Sequence, residues 1–314
     1  MIELRDSCHP SIVVIYNPAA GRGRARGRID RLRRDLGARA EFRPTGGSGD
    51  AEALARRAAE EGFAVVAAAG GDGTVHEVAN GLLQSGKSDV IFAPIPAGSA
   101  NDYVNGLGLA DDWWRRPGPA VVPGLVDVGR VRSGERNRYF VNGFGAGFNG
   151  MVTRESRRIR RLRGLPLYGL AVLRVIFYHY TCPVTTVCFD DGEPTVAPML
   201  GLSLALGRRE GNFVVAPKAE LDDGLFDYVY GGAASRWDLL VFMAQMAAQR
   251  LRNDHPFVRM GRCRRATLHS ETPLIVHLDG EFFCLPENGV HDLEVELLPR
   301  ALRVYRRLAG SSGH

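Results

Sequence analysis

The apolar residues of this chain follow two different periods. Up to about residue 126, short apolar runs alternate with segments of helical spacing. Residues 12–16 read as a strand, and 28–36 then place Ile29, Leu32 and Leu36 on one helical face with arginines around the rest. Asp50 stands where it can cap a helix over 51–61, with Gly62 as its stop. Residues 63–69 and 90–95 predict two further buried strands. Strand–helix alternation of this kind argues for a parallel sheet covered on both faces. From about Asp127 the period falls to two. Residues 185–189 run into Asp191-Gly192, a hairpin signal, and 293–297 alternate as a half-exposed antiparallel strand should. One amphipathic helix, 236–251, interrupts the pattern. The expectation is a doubly wound α/β domain over 1–126 and an antiparallel β-sandwich domain over 127–300. No repeat or low-complexity linker separates them, which predicts close packing around a cleft.

Length agrees, since 314 residues make about two domains at roughly 150 residues each. A composition of 45% hydrophobic and 24% charged residues is that of a globular protein. The longest apolar stretch, 165–180, contains Pro166, Arg174 and His179 and falls short of the ~20 clean residues that span a bilayer. No secretory leader is legible. The 5 cysteines are scattered without CxxC spacing, so a reducing cytoplasm without disulfides or a zinc site is expected. The histidines likewise show no metal-ligand spacing, and Trp113-Trp114 reads as packing.

Charge narrows the chemistry. The net charge is +5, and the 40 basic residues include only two lysines, Lys87 and Lys218. Protein kinases and Walker-type NTPases each need a lysine on the phosphates. Residues 81–88 match the Walker pattern letter for letter, but they follow a helix and precede a strand, the reverse of the required context. Gly86 is therefore read as a helix C-cap and Lys87 as a surface residue. Six arginines fall within 154–163, just before the apolar stretch 165–180. A solvated face explains them as well as an interfacial helix on anionic lipid does. No nucleic-acid-binding module is recognisable, so no nucleic-acid partner is expected.

The strongest local feature is Gly70-Gly71-Asp72-Gly73-Thr74, between the strand 63–69 and a helix in which Val75, Val78, Ala79 and Leu82 share a face. Thr74 and Glu77 have capping-box spacing, which predicts a helix beginning directly after the glycines. Such a loop brings backbone N–H groups and a helix N-terminus to an anion without any lysine. A tight βα turn needing flexible residues is the plainer alternative. Two more strands run into polar, Gly-containing loops, Asn17 to Gly23 and Ala97 to Asp102. Ligands of open α/β sheets bind outside the carboxyl ends of such strands. The first of these loops is a poor dinucleotide fingerprint, because Arg26 stands at its third glycine position.

The Gly-Gly-Asp-Gly-Thr loop with its Glu-Val-Ala-Asn-Gly-Leu helix, and Pro-Ala-Gly-Ser-Ala-Asn-Asp at 96–102, resemble the diacylglycerol kinase catalytic family. So do Leu125-Val-Asp127-Val-Gly129, Leu221-Asp-Asp223-Gly-Leu225-Phe-Asp227 and Leu278-Asp279-Gly280-Glu281. The likeness runs from about Ile12 to Tyr305. It implies a nucleotide-binding α/β domain, a β-sandwich lipid domain, an interdomain cleft and a tail, 301–314, returning to the first domain. It also implies ATP held by Asn17, Thr45, Gly70, Gly71, Asp72, Gly73, Thr74 and Ser99, the last in place of the usual threonine. Asp279 is then the general base for a lipid hydroxyl, with Glu281 beside it. Without the resemblance, Asp-Gly between apolar runs is a hairpin turn. Asp72, Asp102 and Asp127 resemble acids that organise Mg²⁺ near the nucleotide. Glu220, Asp223 and Leu225 resemble a second Mg²⁺ loop, for which a charged hairpin is the alternative.

The expected activity is transfer of the γ-phosphoryl of ATP to a diacylglycerol-like or sphingoid lipid by a cytoplasmic, peripherally membrane-associated enzyme. An NAD-kinase-like small-molecule kinase and a catalytically silent regulator are the rivals. A homodimer is left open.

Overall fold

The computed structural model describes residues 11–20, 25–115, 119–159, 162, 164–211, 213–247 and 255–308. The chain divides into two units, Met1–Val126 with Arg300–His314 and Asp127–Pro299.

The first unit alternates β1 (Ile12–Tyr16), α1 (Ala25–Leu36), β2 (Ala40–Pro44), α2 (Asp50–Glu60), β3 (Val65–Gly70), α3 (Asp72–Ser85), β4 (Ile91–Pro96) and α4 (Asp102–Gly106). Its strands are parallel in the order β2-β1-β3-β4. β3 is buried at every position, as a central strand of a covered parallel sheet must be. Ile29 and Leu32 are buried on α1, whereas Leu36, the third residue of the expected face, is half-exposed. β3 starts two residues later than its apolar run because Phe63 N–H donates to Ala58 O, closing the end of α2. Gly86 takes the left-handed conformation (φ 69°) that ends α3, and Lys87 is exposed.

Two caps differ from the spacing-based expectation. α3 begins at Asp72, after Gly71, with no side-chain cap bond, so Thr74 and Glu77 form no capping box. Glu77 instead accepts the Gly49 and Ala51 N–H groups at 2.9 and 3.1 Å, capping α2 from a neighbouring helix. Asp50, expected as that cap, accepts the Gly46 and Gly47 N–H groups at 2.7 and 2.8 Å and orders the turn before α2.

The second unit contains β5 (Val121–Ser133, which enters it from the first), β6 (Arg136–Phe140), β7 (Gly143–Gly147), α5 (Phe148–Arg158), α6 (Gly164–Tyr178), β8 (Val184–Phe189) and β9 (Thr195–Ala205). There follow β10 (Arg209–Glu210), β11 (Phe213–Val214), β12 (Phe226–Gly232), α7 (Arg236–Ala247), β13 (Val258–Cys263), β14 (Arg265–Ser270), β15 (Val276–Leu278), β16 (Glu281–Cys284) and β17 (Asp292–Arg307). The expected end of α7, Leu251, lies outside the described residues. The long strand β9 joins two antiparallel sheets. Its residues 195–198 pair with β8, which continues through β14 to β17, while residues 201–205 pair with β7 and β12. This is the β-rich architecture that the period-two pattern predicts, with Phe140 stacked on Phe226 in its core (centroids 5.6 Å apart).

The helices pack on this unit through one apolar cluster that includes Phe148, Val172, Val175, Ile176, Leu200, Leu239 and Phe242. Buried Glu155 joins α5 to α6, within 2.6 Å of Arg158, 3.5 Å of Arg174 and 3.6 Å of His179. No helix among the described residues is long and apolar enough to cross a membrane. The last strand turns at Arg300 (φ 51°) and returns to the first unit, where Val304 pairs in parallel with Phe92 of β4. There Tyr305 packs on Trp113, whose Nε1–H donates to Pro94 O at 3.0 Å. Trp113 is thus a packing residue.

Candidate functional site

In the first unit the expected nucleotide residues gather at the carboxyl edge of the parallel sheet. Thr45 N–H donates to Tyr16 O (2.9 Å) and Asn17 N–H to Ala69 O (3.3 Å), which places the ends of β2, β1 and β3 side by side. Asn17 Oδ1 accepts the Ala19 N–H at 2.8 Å and shapes the turn after β1. The rest of that loop, Gly21 to Gly23, lies outside the described residues. Ala97 N–H donates to Gly70 O at 2.8 Å, bringing the β3 and β4 loops together. They meet backbone to backbone: a Cβ on Gly98 would stand 2.4 Å from Gly71 Cα. Glycine is required there by close approach.

The two loops are also cross-linked. Asp72 Oδ2 accepts the Asn101 N–H at 3.0 Å, and Asn101 Oδ1 accepts the Gly98 N–H at 2.9 Å. Asn101 sits in the left-handed region (φ 54°) just before α4, and buried Asp102 opens that helix. The junction from Gly71 into α3 is tighter than a free glycine loop. Asp72, Gly73 and Thr74 form the first turn of the helix, whose N–H groups have no acceptor within the helix. Such a terminus favours a phosphate. Ser99 is exposed at the tip of the adjoining loop. Sequence reasoning missed Asn101, although its place before Asp102 in Ala-Asn-Asp is a helix N-cap signal.

In the second unit, Asp279 and Gly280 form the two-residue turn of the β15–β16 hairpin, both at positive φ (53° and 85°). This is the Asp-Gly turn chemistry that the dipeptide predicts. The turn also fixes a carboxylate. Asp279 Oδ1 accepts the N–H groups of Asn142 (2.8 Å) and Gly143 (2.9 Å), and Oδ2 accepts that of Val141 (3.0 Å). Glu281, beside it, lies 2.8 Å from Arg157 Nη2. Two residues before Asp279, buried His277 has its Nε2 2.9 Å from Glu210 Oε1.

Asp127 is fully buried in the second unit, apart from Asp72 and Asp102 in the chain's division. Its N–H donates to Leu221 O (2.7 Å) and its Oδ2 accepts the Gly224 N–H (2.7 Å). It therefore orders the loop that carries Glu220, Asp223 and Leu225. Within that loop, Leu225 N–H donates to Asp223 Oδ1 at 3.1 Å. Arg262 lies 3.4 Å from Asp223 and 3.5 Å from Asp227. Burial pushes the Asp227 carboxyl above the ordinary carboxylate range; Arg262 opposes this, while Asp223 and Glu220 add to it. The loop thus concentrates negative charge that one arginine partly balances. Among the described residues, no three His, Cys, Asp or Glu side chains form a metal-binding group.

The arginine run has internal partners at its start. Arg154 meets Glu287 (2.9 Å), Arg157 meets Glu281, and Arg158 meets Glu155. Arg160, Arg161 and Arg163 lie outside the described residues. The following stretch forms α6, whose Ala171, Val172, Val175 and Ile176 are buried while Leu170, Leu173 and Phe177 are exposed.

Comparison with known proteins accounts for both units. A family model described as the diacylglycerol kinase catalytic domain matches residues 11–119. One described as the YegS C-terminal NAD kinase beta sandwich-like domain matches residues 143–306. A "probable lipid kinase YegS-like" protein of Chromohalobacter salexigens is 33% identical over 277 residues, 86% of this chain and 84% of its own. A diacylglycerol kinase of Mycobacterium tuberculosis is 29% identical over 307 residues, 94% of each chain. The fold is shared with a crystal structure of a diacylglycerol kinase from Bacillus anthracis (TM-score 0.68, 19% identity, covering 96% of this chain and 99% of that one).

Proposed function

This chain belongs to the family of YegS-like lipid kinases and diacylglycerol kinases, and on that premise we propose that it transfers the γ-phosphoryl group of ATP to the hydroxyl of a diacylglycerol-like or sphingoid lipid. The observation that carries this reading is the Asp279 carboxylate, held by three backbone N–H groups at the tip of a hairpin with Glu281 next to it. Three donors from one short segment fix the carboxylate's position better than a flexible side chain could hold it. Phosphoryl transfer depends on such positioning.

In this reading the lipid oxygen attacks the γ-phosphorus, its proton passes to the Asp279 carboxylate, the bond from the γ-phosphorus to its bridging oxygen breaks, and ADP leaves. The N–H groups opening α3 and the loop at Ser99 hold the phosphates, which explains how a chain with two lysines manages without one there. Asn17 and Thr45 bound the same sheet edge.

Mg²⁺, when bound, neutralises charge on the phosphates. Asp72 and Asp102 suit it in kind, because Mg²⁺ keeps several waters and takes only one or two carboxylates. The loop with Asp223 and the carbonyls of Glu220 and Leu225 offers an oxygen-only donor set. Burial is the main cause of the raised Asp227 carboxyl beside this loop, and Asp223 and Glu220 add to it.

Peripheral association with a membrane is part of the proposal. Leu170, Leu173 and Phe177 on α6 and Trp237 and Val241 on α7 are exposed apolar residues on two helices that share one buried cluster. An exposed apolar face of this kind suits a lipid surface.

The test is labelled ATP with Mg²⁺ and a panel of lipids in mixed micelles. Label in a lipid product that vanishes without Mg²⁺ supports the reading. Transfer to NAD but to no lipid overturns it.

A further inference from the structure

We propose that Arg157 is a positioning residue for the transfer reaction, acting through the turn that carries Asp279 and Glu281; the inference rests on the reading above. Arg157 lies on α5, in a run of arginines that sequence reasoning assigns to solvent or to a membrane. Its guanidinium instead closes on the hairpin. Nη2 donates to Gly280 O at 2.7 Å and to Glu281 Oε2 at 2.8 Å, and the guanidinium carbon stands 4.6 Å from the centroid of the Phe282 ring. One side chain therefore holds three consecutive residues through a carbonyl, a carboxylate and an aromatic ring. A planar guanidinium can donate to both oxygens while lying over the ring, a geometry that a compact ammonium reproduces less well.

The hairpin needs such support. β15 has three residues and β16 four, and the register between them shifts after Val276. β16 is the last strand in its sheet order, with β15 as its neighbour. A short, irregular edge hairpin with a two-residue turn has few ladder bonds to fix its tip. The Asp279 carboxylate ties one side of the turn to residues 141–143, and Arg157 ties the other side to α5. The helix is itself anchored to the same hairpin's approach, since Gly147 N–H, immediately before α5, donates to Ile275 O at 3.1 Å. Neighbouring Arg154 and Arg158 meet different acids, Glu287 and Glu155, so the clamp belongs to Arg157.

Arg157 and Glu281 are each nearly half-exposed, and ion pairs in that setting contribute little to global stability. Positional error in a reacting group, by contrast, is costly to rate. These two facts set the test. The full chain is compared as wild type, Arg157→Ala, Arg157→Lys, Glu281→Gln and the Arg157→Ala/Glu281→Gln double variant, with Asp279→Asn as the reference. Arg157→Ala is expected to lower kcat by about ten- to a hundredfold, with KM for ATP and lipid and the Tm close to wild type. Arg157→Lys should recover only part of the loss. The double variant should be little worse than its weaker single, as residues in one contact behave.

Wild-type kcat in Arg157→Ala overturns the proposal. So does a loss confined to lipid KM that grows with the anionic lipid content of the micelles, which would make Arg157 a membrane contact. If wild type phosphorylates no lipid, or Asp279→Asn is fully active, the functional reading falls and this inference with it. An active wild type, an inactive Asp279→Asn and an unimpaired Arg157→Ala would remove the positioning role alone.

Discussion

Asp279 Oδ1 accepts the backbone N–H of Asn142 at 2.8 Å, so a residue proposed for catalysis also stitches its hairpin to the segment before β7. Asparagine keeps the shape and tolerates the left-handed backbone at φ 53°. It cannot accept at both ends, and its amide would face a backbone donor. Asp279→Asn is expected to lower kcat/KM by about 10²–10⁴-fold, the usual contribution of a general base. It should also cost about 1–3 kcal/mol for the donor left unpaired. Kinetics and denaturant unfolding on one preparation read both. Wild-type turnover would exclude the assignment.

Gly98→Ala should disable the nucleotide side without touching an acid. Its Cβ would stand 2.4 Å from Gly71 Cα, and neither backbone can yield without moving the α3 N-terminus. Losing about one charge-assisted hydrogen bond to phosphate corresponds to a rise in KM for ATP of about tenfold or more. Gly47→Ala, where the added Cβ meets nothing within 4 Å, is the control and should bind ATP normally.

Glu77→Ala removes the acceptor for two N–H groups at the start of α2. The expected cost is about 1–2 kcal/mol, as for loss of a helix cap, visible as a lower Tm. Glu77→Gln, which keeps one acceptor oxygen, should fall between. If the capping box at Thr74 were real, Thr74→Val would cost as much as Glu77→Ala. The structure predicts that it will not.

Burial pushes the Cys263 thiol up to about 12 and the Cys284 thiol up to about 11. Both should stay unlabelled by a maleimide in the native protein at pH 8 and react once denatured. Because the folded values lie above the unfolded one, the fold favours the neutral thiol. The resulting stability is complete below the ordinary thiol value and is lost as pH rises through the folded values. Unfolding midpoints measured from pH 8 to 11 should therefore decline at the alkaline end. Rapid native labelling of either cysteine would contradict its burial.

Much of the framework was legible in residue order. The buried runs of β1, β3 and β4, the stop at Gly86, the false Walker lysine and the Asp-Gly turn follow from local rules, because period, backbone preference and context act over a few residues. The capping assignments failed for an equally physical reason. Glu77 at N3-like spacing had a better acceptor role across space, at Gly49 and Ala51, and spacing along the chain cannot weigh a partner 28 residues away. Arg157 was invisible in the same way, since an arginine among arginines gives no local sign that it closes on a hairpin 123 residues later.

Residue order alone specifies the kinds of element, the change of period near Asp127, and which residue types could meet phosphate or accept a proton. Those properties depend on side-chain chemistry and near neighbours. Which backbone amides fix Asp279, that Asp127 Oδ2 accepts from Gly224, and that Gly71 and Gly98 approach backbone to backbone emerge only in the folded chain. Each is a contact between distant segments. Such contacts exist only once the strands have taken their order and register, which no window of the sequence contains.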